Sequence, residues 1–407
     1  LHNSARVSGD AQEQEDSRVY RILVDYYSVC LLYYICKLFI ISNKTNDVNT
    51  FYDFFGRCLF MESAERFTGC MLGGAVGDAL GYLIEDMDLK TIHKKYGPYG
   101  LRTILKLASN DKKSVVSDDT QMALFTADGL LWAAHEQMAP EDGVYRSYMR
   151  WYYTQTERIV RVEQAEWIKK QPHEEAWGYD MMGTPFLFTR RSPGKVCLMA
   201  LASGKQYDHA HKPNTNKSST VMRTGPVGLF YVGDPEKALQ AGCRAGQLTH
   251  GGSSAYLAAG TFSALVSLLA AGEALGAAVT AVLPILQKEE GGMALAKTLV
   301  KAVDEAVSDH NPVKSMSVLG LGWNADEALA LAVYCLLKNH SLKDAVLMAC
   351  NQDGDSDTCG AVCGTLGGAV YGKKAIPKNW LNGLDCLELT ETLAQCLYQQ
   401  YQKSAVK

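Results

Sequence analysis

Two short segments, far apart in the chain, combine carboxylate and hydroxyl side chains ahead of a helix-forming run. The first is Ser117-Asp118-Asp119-Thr120, and the second is Asp355-Ser356-Asp357-Thr358. Helix capping explains one or two residues of each segment, since Ser, Asp and Thr are favoured N-caps and Asp in a first turn suits the helix dipole. Capping explains two matching clusters less well. If the clusters met in space, their carboxylates would repel one another unless a cation lay between them.

The oxygen ligands that these clusters offer suit Mg²⁺, Mn²⁺ or Ca²⁺ rather than zinc. Asp353, Asp355 and Asp357 also fall at positions 1, 3 and 5 of an EF-hand loop. An EF-hand needs glycine at position 6 and glutamate at position 12, where this chain has Thr358 and Gly364. The EF-hand interpretation therefore fails twice, and a cation site shared by both clusters is the chemical hypothesis.

The elements that must position these clusters are predicted to be helices, so the expected fold class is all-α. Asn324 is predicted to cap Ala325–Lys338, a run of strong helix formers, and Ser341 opens a capping box with Asp344. Alternating strand patterns are scarce. Further helical patterns cover residues 122–132, 255–269 and 276–287.

Glycines and one long loop add two expectations. Gly360, Gly364 and Gly368 recur every four residues in an Ala-rich stretch, which predicts a helix whose backbone comes close to a neighbour. Residues 203–220 form the clearest long polar loop, and long loops in compact domains are often functional. No Walker A motif occurs and no G-x-G-x-x-G follows a strand, so ATPase and Rossmann functions are disfavoured.

The composition is that of an ordinary globular protein. The 407 residues carry 40 Lys and Arg against 44 Asp and Glu, a formal charge of −4, and 47% are apolar. This excludes disorder along the whole chain and gives no net positive field to attract nucleic acid. The 12 cysteines include no C-x-x-C pair and several lie in apolar runs, so we expect reduced thiols and a cytoplasmic protein.

The composition changes near residue 60. Residues 1–60 contain two of the 36 glycines and none of the 13 methionines. We therefore expect a folded domain over residues 61–407, preceded by an N-terminal extension that is not part of it. Val24–Ile41 is the one membrane candidate, with 15 apolar residues of 18. It is short and includes charged Asp25 and Lys37, so no membrane anchor is expected.

The chain resembles the ADP-ribosylglycohydrolase family from about Met61 to Tyr371. One glycine-rich stretch would mean little, but several motifs occur in the family's order, which is specific. These motifs are Gly69–Gly81 with Glu85, Ser117–Met122, Arg191–Gly194, Met222–Gly228, Leu248–His250, Gly322–Ala328 and Gly354–Thr358.

The resemblance implies a compact all-α fold with two Mg²⁺ or Mn²⁺ ions in a cleft, and it assigns residues to three roles. The implied metal ligands are Ser117, Asp118, Asp119, Asp355, Asp357 and Thr358. The implied catalytic carboxylates are Glu85, with Asp86 as its nearby alternative, and Asp119. The implied substrate-binding residues are Asp78, Ser218, Ser219 and His250.

The resemblance also implies the reaction, hydrolysis of the bond between ribose C1″ of ADP-ribose and an acceptor. The partner would be an ADP-ribosylated protein or small molecule bound by a monomer. One departure from the family is residues 216–220, Asn-Lys-Ser-Ser-Thr, where many members have glycines. A non-catalytic relative that binds ADP-ribose or serves structurally, and a hydrolase of another ribosylated compound, therefore stay open alternatives.

If residues 1–60 are not part of the domain, a chain that begins at Met61 should be soluble. Its melting temperature and metal affinity should equal those of the full chain, which calorimetry on both proteins would measure. Aggregation of the shorter chain, or a large loss of stability, would mean that Val24–Ile41 packs on the rest of the protein.

Overall fold

The structure is a computed structural model, and it describes residues 63–106, 113–160, 165–206 and 212–405. Over these residues the fold is all-α, as predicted, with 17 α-helices, two isolated bridges and no β-strand. The chain divides into two units, Leu1–Phe60 and Met61–Lys407, and the described residues all belong to the second. The predicted N-terminal extension and the membrane candidate Val24–Ile41 lie outside the described residues.

The helices differ in length and are joined by loops and short 3₁₀ turns. In chain order they are α1 (Ser63–Gly81), α2 (Leu89–Tyr96), α3 (Asp118–Glu136), α4 (Pro140–Thr156), α5 (Pro172–Trp177), α6 (Lys195–Ala202), α7 (Gly225–Phe230), α8 (Pro235–Gln247), α9 (Ser253–Ala271), α10 (Leu275–Leu286), α11 (Gly292–Val307), α12 (Pro312–Leu319), α13 (Ala325–Lys338), α14 (Leu342–Cys350), α15 (Ser356–Tyr371), α16 (Lys378–Leu381) and α17 (Leu387–Ala405). The 3₁₀ turns are Tyr82–Ile84, Glu166–Ile168, Pro185–Phe188, Ser218–Arg223 and Lys373–Ala375.

Helices α1 and α15 form the centre of the fold, and their backbones are in contact. Both carry a glycine every four residues on the facing side: Gly69, Gly73 and Gly77 on α1, and Gly360, Gly364 and Gly368 on α15. A Cβ atom added at Gly73 would overlap the carbonyl oxygen of Gly364, and one added at Gly364 would overlap that of Gly73. The predicted close approach of a helix backbone to a neighbour is therefore confirmed.

The two helices run antiparallel, so the end of α1 lies against the start of α15. At this end, a Cβ atom on Gly81 would overlap the backbone of Ser356. The chain that leaves α1 through the turn Tyr82–Ile84 is thereby held beside the residues that begin α15. This arrangement brings Glu85 next to the second acidic cluster.

The predicted helices are confirmed where the local signals were strongest. Residues 325–338 form α13, and Ser341 Oγ caps α14 by accepting the Asp344 N–H at 3.1 Å. The stretches 122–132, 255–269 and 276–287 fall in α3, α9 and α10, with Gln287 just past the end of α10.

One predicted cap is wrong, because the Asn324 side chain does not cap α13. Its amide nitrogen donates to Glu327 Oε1 at 3.1 Å instead. The other oxygen of Glu327 accepts the Gly322 N–H at 3.1 Å. The charged carboxylate, already anchored to the preceding backbone, is a stronger acceptor for the amide and turns Asn324 away from the helix start.

A buried ionic cluster anchors the middle of α3, the helix that carries the first acidic cluster at its start. Asp128 accepts hydrogen bonds from His173 Nε2 at 2.8 Å and from Tyr179 OH at 3.0 Å. Arg150 lies 3.3 Å from Asp128 and 2.7 Å from Glu174, with all three side chains fully buried. Breaking such a buried pair would leave an uncompensated charge, so the cluster holds α3 firmly against α4 and α5.

Two of the helical segments have the length and hydropathy of membrane spans. They are Ser63–Ile84 and Ser253–Ala271, and 83% and 78% of their apolar windows are buried within the protein. Neighbouring helices thus cover most of their apolar surface, as in the core of a helical domain.

Replacing Gly364 with alanine should lower the free energy of unfolding by about 3 kcal/mol or more, because the new Cβ atom meets backbone that cannot move aside. Gly276 in α10 is the matched control, since a Cβ atom there meets nothing within 4 Å. Its replacement by alanine should cost nothing, because alanine is the better helix former. Urea unfolding of both variants measures the difference, and wild-type stability of Gly364→Ala would contradict the backbone contact.

Candidate metal centre and active site

The first acidic cluster lies at the start of α3, where a carboxylate from α1 holds it. Asp78 has no exposed surface and accepts the Ser117 N–H at 2.9 Å and the Thr120 N–H at 3.0 Å. Ser117 Oγ accepts the Asp119 N–H at 3.1 Å and is the N-cap of α3. Asp78 thus satisfies backbone donors that the helix leaves free. Its predicted contact with substrate stays a prediction.

Residues 191–194 hold the carboxylate of Asp118 in place. The Asp118 N–H donates to the Arg191 carbonyl oxygen at 3.0 Å, and Asp118 Oδ2 accepts the Gly194 N–H at 3.0 Å. Between them Ser192 has a φ of 53°, a left-handed conformation that only one other non-glycine residue adopts in the described part of the chain. This local strain turns the backbone so that the Gly194 N–H meets the carboxylate.

The second acidic cluster lies at the start of α15. Asp355 is the N-cap, and its Oδ1 accepts the Thr358 N–H at 3.2 Å. Asp357 Oδ1 accepts the same N–H at 2.9 Å. The Ser218 hydroxyl, which is predicted to contact substrate, donates to Asp355 Oδ2 at 2.7 Å. Ser218 therefore holds a carboxylate of the cluster, and its contact with substrate stays a prediction.

Glu85 joins this second cluster. One carboxylate oxygen from each of Glu85, Asp355 and Asp357 lies within 4.8 Å of the other two. Glu85 is half-buried, whereas Asp86 is exposed and is not part of the group. Of the two candidates that the sequence analysis named, Glu85 and Asp86, Glu85 is the one that reaches the site.

The two acidic clusters meet, as their matched chemistry predicts. Burial, and then the negative charge of Asp119, raise the pKa of Asp357 well above its ordinary value. Burial also raises the pKa of Asp119, and a hydrogen bond from the Thr358 side chain opposes this rise. Side chains separated by more than 200 residues of sequence therefore share one acidic site.

Burial gives the carboxylates of this site unusual proton affinities. Desolvation, reinforced by neighbouring carboxylates, raises the pKa of Glu85 to about 7 and that of Asp118 to about 8. Burial also raises the pKa of Asp78 to about 6, although its hydrogen bonds from Thr120 and Ser117 oppose the change. Within the described residues, no Lys, Arg or His forms an ion pair with any of these carboxylates.

A divalent cation fits this set of donors. Asp119 Oδ2 is buried without a hydrogen-bond partner among the described residues, and such an atom costs about 1–3 kcal/mol unless something binds it. Carboxylate and hydroxyl oxygens are the ligands that Mg²⁺ and Mn²⁺ prefer. A cation would also offset the repulsion among the clustered charges. The group able to hold it is Glu85, Asp355 and Asp357, whose carboxylate oxygens lie within 4.8 Å of one another. The ligand roles predicted for Ser117, Asp118, Asp119 and Thr358 stay predictions.

The glycine-free loop at 216–220 adopts ordinary backbone geometry. Lys217 pairs with Asn324 in an isolated bridge, and the Ser218 N–H donates to the Trp323 carbonyl oxygen at 3.2 Å. None of residues 216–220 has a φ in the left-handed region. The loop therefore does not need the conformational freedom that glycine provides.

The structure brings together the other two predicted substrate residues, Ser219 and His250. Ser219 is half-buried, and its Oγ lies 3.2 Å from His250 Nε2. His250 has no exposed surface, and its Nδ1 lies 2.8 Å from Thr249 Oγ1. His250 thus contacts Ser219 from the interior of the protein, where it can orient the Ser219 hydroxyl.

Reasoning from spacing and residue chemistry missed the groups that support the site. Arg191 and Gly194 hold Asp118, while Arg223 and Thr249 contact one another behind Ser219. The one signal that could have identified these residues is that they lie in the family motifs Arg191–Gly194, Met222–Gly228 and Leu248–His250. Their roles depend on backbone atoms and on distant residues, which no local spacing reveals.

Protons and a divalent cation should compete for the site. The folded-state pKa values of about 6 to 8 exceed the unfolded values of 3.8 and 4.5, so the metal-free protein loses stability as pH rises from the unfolded values to the folded ones. A cation binds the ionised carboxylates, which reverses the loss. Mn²⁺ should therefore raise the melting temperature by several degrees at about pH 8 and hardly at all at about pH 5.

Thermal unfolding of EDTA-treated protein, with and without Mn²⁺ at each pH, measures this effect. Asp357→Asn should lose most of the Mn²⁺ response. A Mn²⁺ response that does not change with pH, or that survives in this variant, would contradict a shared carboxylate site.

Residues 61–406 match the model of the ADP-ribosylglycohydrolase family. Human ADP-ribosylhydrolase ARH3 is 25% identical over 376 residues, covering 84% of this chain and 95% of ARH3. The ADP-ribosyl-(dinitrogen reductase) glycohydrolase of Rhodospirillum rubrum is 24% identical over 331 residues, covering 79% and 90%. A solved ADP-ribosylglycohydrolase-related protein complex has the same fold, with a TM-score of 0.54, 24% identity and coverage of 83% of this chain and 99% of its own. Since the match spans the whole described part, this chain belongs to the ADP-ribosylglycohydrolase family.

Proposed function

We propose that this protein is a metal-dependent hydrolase that cleaves the ribose C1″ bond of an ADP-ribosylated protein or small molecule and releases ADP-ribose. Family membership indicates ADP-ribosyl hydrolase activity in general. The proposal adds the dependence on Mg²⁺ or Mn²⁺ and the class of substrate. The observation that carries it is the meeting of Glu85 and two helix-start acidic clusters in one site.

The acidic site supplies the negative oxygens that such a reaction needs. When bound there, Mg²⁺ or Mn²⁺ would hold ribose hydroxyls and lower the pKa of a water molecule. The residues proposed to hold the ions are Ser117, Asp118, Asp119, Asp355, Asp357 and Thr358. Hydrogen bonds from Gly194 to Asp118 and from Ser218 to Asp355 keep two of these carboxylates in fixed orientations.

Glu85 is the side chain best placed to orient or deprotonate the attacking water. It is half-buried beside Asp355 and Asp357, so its carboxylate borders both the site and solvent. Burial and the neighbouring charge raise its pKa to about 7, close to the value that suits a general base at neutral pH. Asp119, the other candidate, is buried and faces Thr358, a position better suited to holding a cation.

The carboxylates also act on the sugar. Breaking the C1″ bond builds positive charge on the ribose ring, as in other glycosidic cleavages. Fixed negative groups near that ring stabilise the charge without having to reorganise during the reaction. Water adds to C1″ as the bond to the acceptor breaks, and the proton that the water loses is taken up by the acceptor. The linkage of that acceptor is the open part of the proposal, whether through arginine, serine, a nucleobase or a free metabolite.

A non-catalytic ADP-ribose-binding protein is the second candidate, and residues 216–220 favour it. Side chains of Lys217, Ser218 and Ser219 occupy the place where glycines would let a ligand approach the backbone closely. The intact acidic site favours the hydrolase. Turnover distinguishes the two candidates.

Asp357→Ala removes a proposed metal ligand, and release of ADP-ribose should fall by orders of magnitude. EDTA should have the same effect on the unmodified protein, and added Mg²⁺ or Mn²⁺ should restore activity. Glu85→Gln keeps the shape of the side chain and should cost roughly 100-fold in kcat, the usual range for losing a general base. Chromatography of ADP-ribose released from arginine-, serine- and nucleobase-linked substrates measures all of these rates.

Asp353→Ala is the matched control. Asp353 belongs to the same run of alternating aspartates, but it is exposed and accepts the Leu89 N–H at 2.7 Å outside the acidic site. The Asp353→Ala variant should release ADP-ribose at nearly the wild-type rate. Equal nonzero rates for wild type and Asp357→Ala under saturating Mn²⁺ would remove the metal from the mechanism. No turnover of any substrate by the wild type would favour the binding protein.

A further inference from the structure

A fully buried arginine lies behind the loop that carries Ser219. Arg223 has no exposed surface, and it forms no ion pair with a carboxylate of the described residues. Its guanidinium carbon lies 4.7 Å from the centre of the Tyr148 ring, and its Nη2 donates to Thr249 Oγ1 at 2.6 Å. A buried cation without an anionic partner is costly. The hydrogen bond to Thr249 Oγ1 offsets part of this cost.

The hydrogen bonds continue from Thr249 through His250 to Ser219. Thr249 Oγ1 lies 2.8 Å from His250 Nδ1, and His250 Nε2 lies 3.2 Å from Ser219 Oγ. Burial, and then the positive charge of Arg223, lower the pKa of His250 to about 3. At neutral pH the ring is therefore neutral and carries a single proton, on either Nδ1 or Nε2.

Arg223 determines which ring nitrogen carries that proton. Because Thr249 Oγ1 accepts the guanidinium N–H, its own hydrogen goes to a different acceptor. The two acceptors within reach are His250 Nδ1 at 2.8 Å and the Gly246 carbonyl oxygen at 3.5 Å, and the shorter contact is much the stronger. A lone pair on Nδ1 also faces the nearby cation more favourably than an N–H would. The ring proton is consequently on Nε2, the nitrogen that faces Ser219.

Ser219 lies beside the acidic site. A Cβ atom added to Gly194 would lie 3.6 Å from Ser219 Oγ and 3.8 Å from Asp118 Oδ2, so the serine and the aspartate flank the same glycine. His250 is the one hydrogen-bond partner of the Ser219 hydroxyl among the described residues. The neighbouring Ser218 hydroxyl is already used, since it donates to Asp355 at 2.7 Å.

We infer that Arg223 and Thr249 hold His250 in the Nε2–H tautomer, so that His250 donates to Ser219 Oγ and leaves the Ser219 hydrogen free to bind an oxygen atom of the ADP-ribosyl group. The identity of the ligand rests on the proposed function, whereas the tautomer does not. Arg223, Thr249 and His250 are positioning residues, and Ser219 is the residue that touches the ligand.

The tautomer is measurable in the ligand-free full-length protein. Long-range ¹H–¹⁵N correlation spectra of ¹⁵N-histidine-labelled protein identify the protonated ring nitrogen, with His250→Gln to assign the signal. The expected result is a proton on Nε2 in the wild type and in Thr249→Ser, which keeps the hydroxyl. Thr249→Val should give a mixture of tautomers or a proton on Nδ1. A wild-type ring protonated on Nδ1 would overturn the inference.

Affinity for ADP-ribose, measured by calorimetry in the presence of Mg²⁺, tests the consequence. Ser219→Ala and Thr249→Val should each weaken binding roughly tenfold, the cost of one hydrogen bond to a ligand oxygen. The double variant should bind no more weakly than Ser219→Ala alone, since both changes remove the same hydrogen bond. Thr249→Ser should bind as tightly as the wild type.

Independent losses that add in the double variant, or unchanged affinity in Ser219→Ala, would overturn the assignment of Ser219. A wild-type protein that does not bind ADP-ribose would contradict the proposed function instead. In that case the tautomers of wild type, Thr249→Ser and Thr249→Val still decide whether Arg223 and Thr249 orient His250.

Discussion

The backbones of α1 and α15 touch, and the acidic site depends on that contact. Facing glycines remove the side chains that would keep the two helices apart, so the end of α1 lies directly against the start of α15. Glu85 leaves one helix and Asp355 caps the other at the same place. A single methyl group between these helices would separate groups whose oxygens now lie within 4.8 Å of one another.

The same helix starts that gather the carboxylates also supply part of what stabilises them. Free N–H groups in the first turn of α3 bind Asp78, and those of α15 bind Asp355 and Asp357. These bonds do not compensate fully, because burial still raises the pKa values of Asp78, Asp355 and Asp357. The remaining cost has a physical remedy in a divalent cation, which is why the arrangement supports a metal-dependent reaction.

Three side chains of the site contact a group from another part of the chain. Gly194 orients Asp118, Ser218 orients Asp355, and His250 faces Ser219. A side chain held in this way loses little further freedom when a ligand binds, which favours precise positioning of a substrate. Behind these groups, the buried pairs of Asp128 and Arg150 keep α3 in place.

Local patterns in the sequence were sufficient to predict the helices, the two acidic segments at helix starts and the close approach of α15, because capping and periodicity act over a few residues. They did not show that Glu85 enters the site while Asp86 does not, or that Glu327 draws Asn324 away from its cap. They also did not show that Ser218 is committed to Asp355. These outcomes depend on atoms that folding brings together from distant segments, and competition among such partners for the same hydrogen bonds leaves no trace in local spacing.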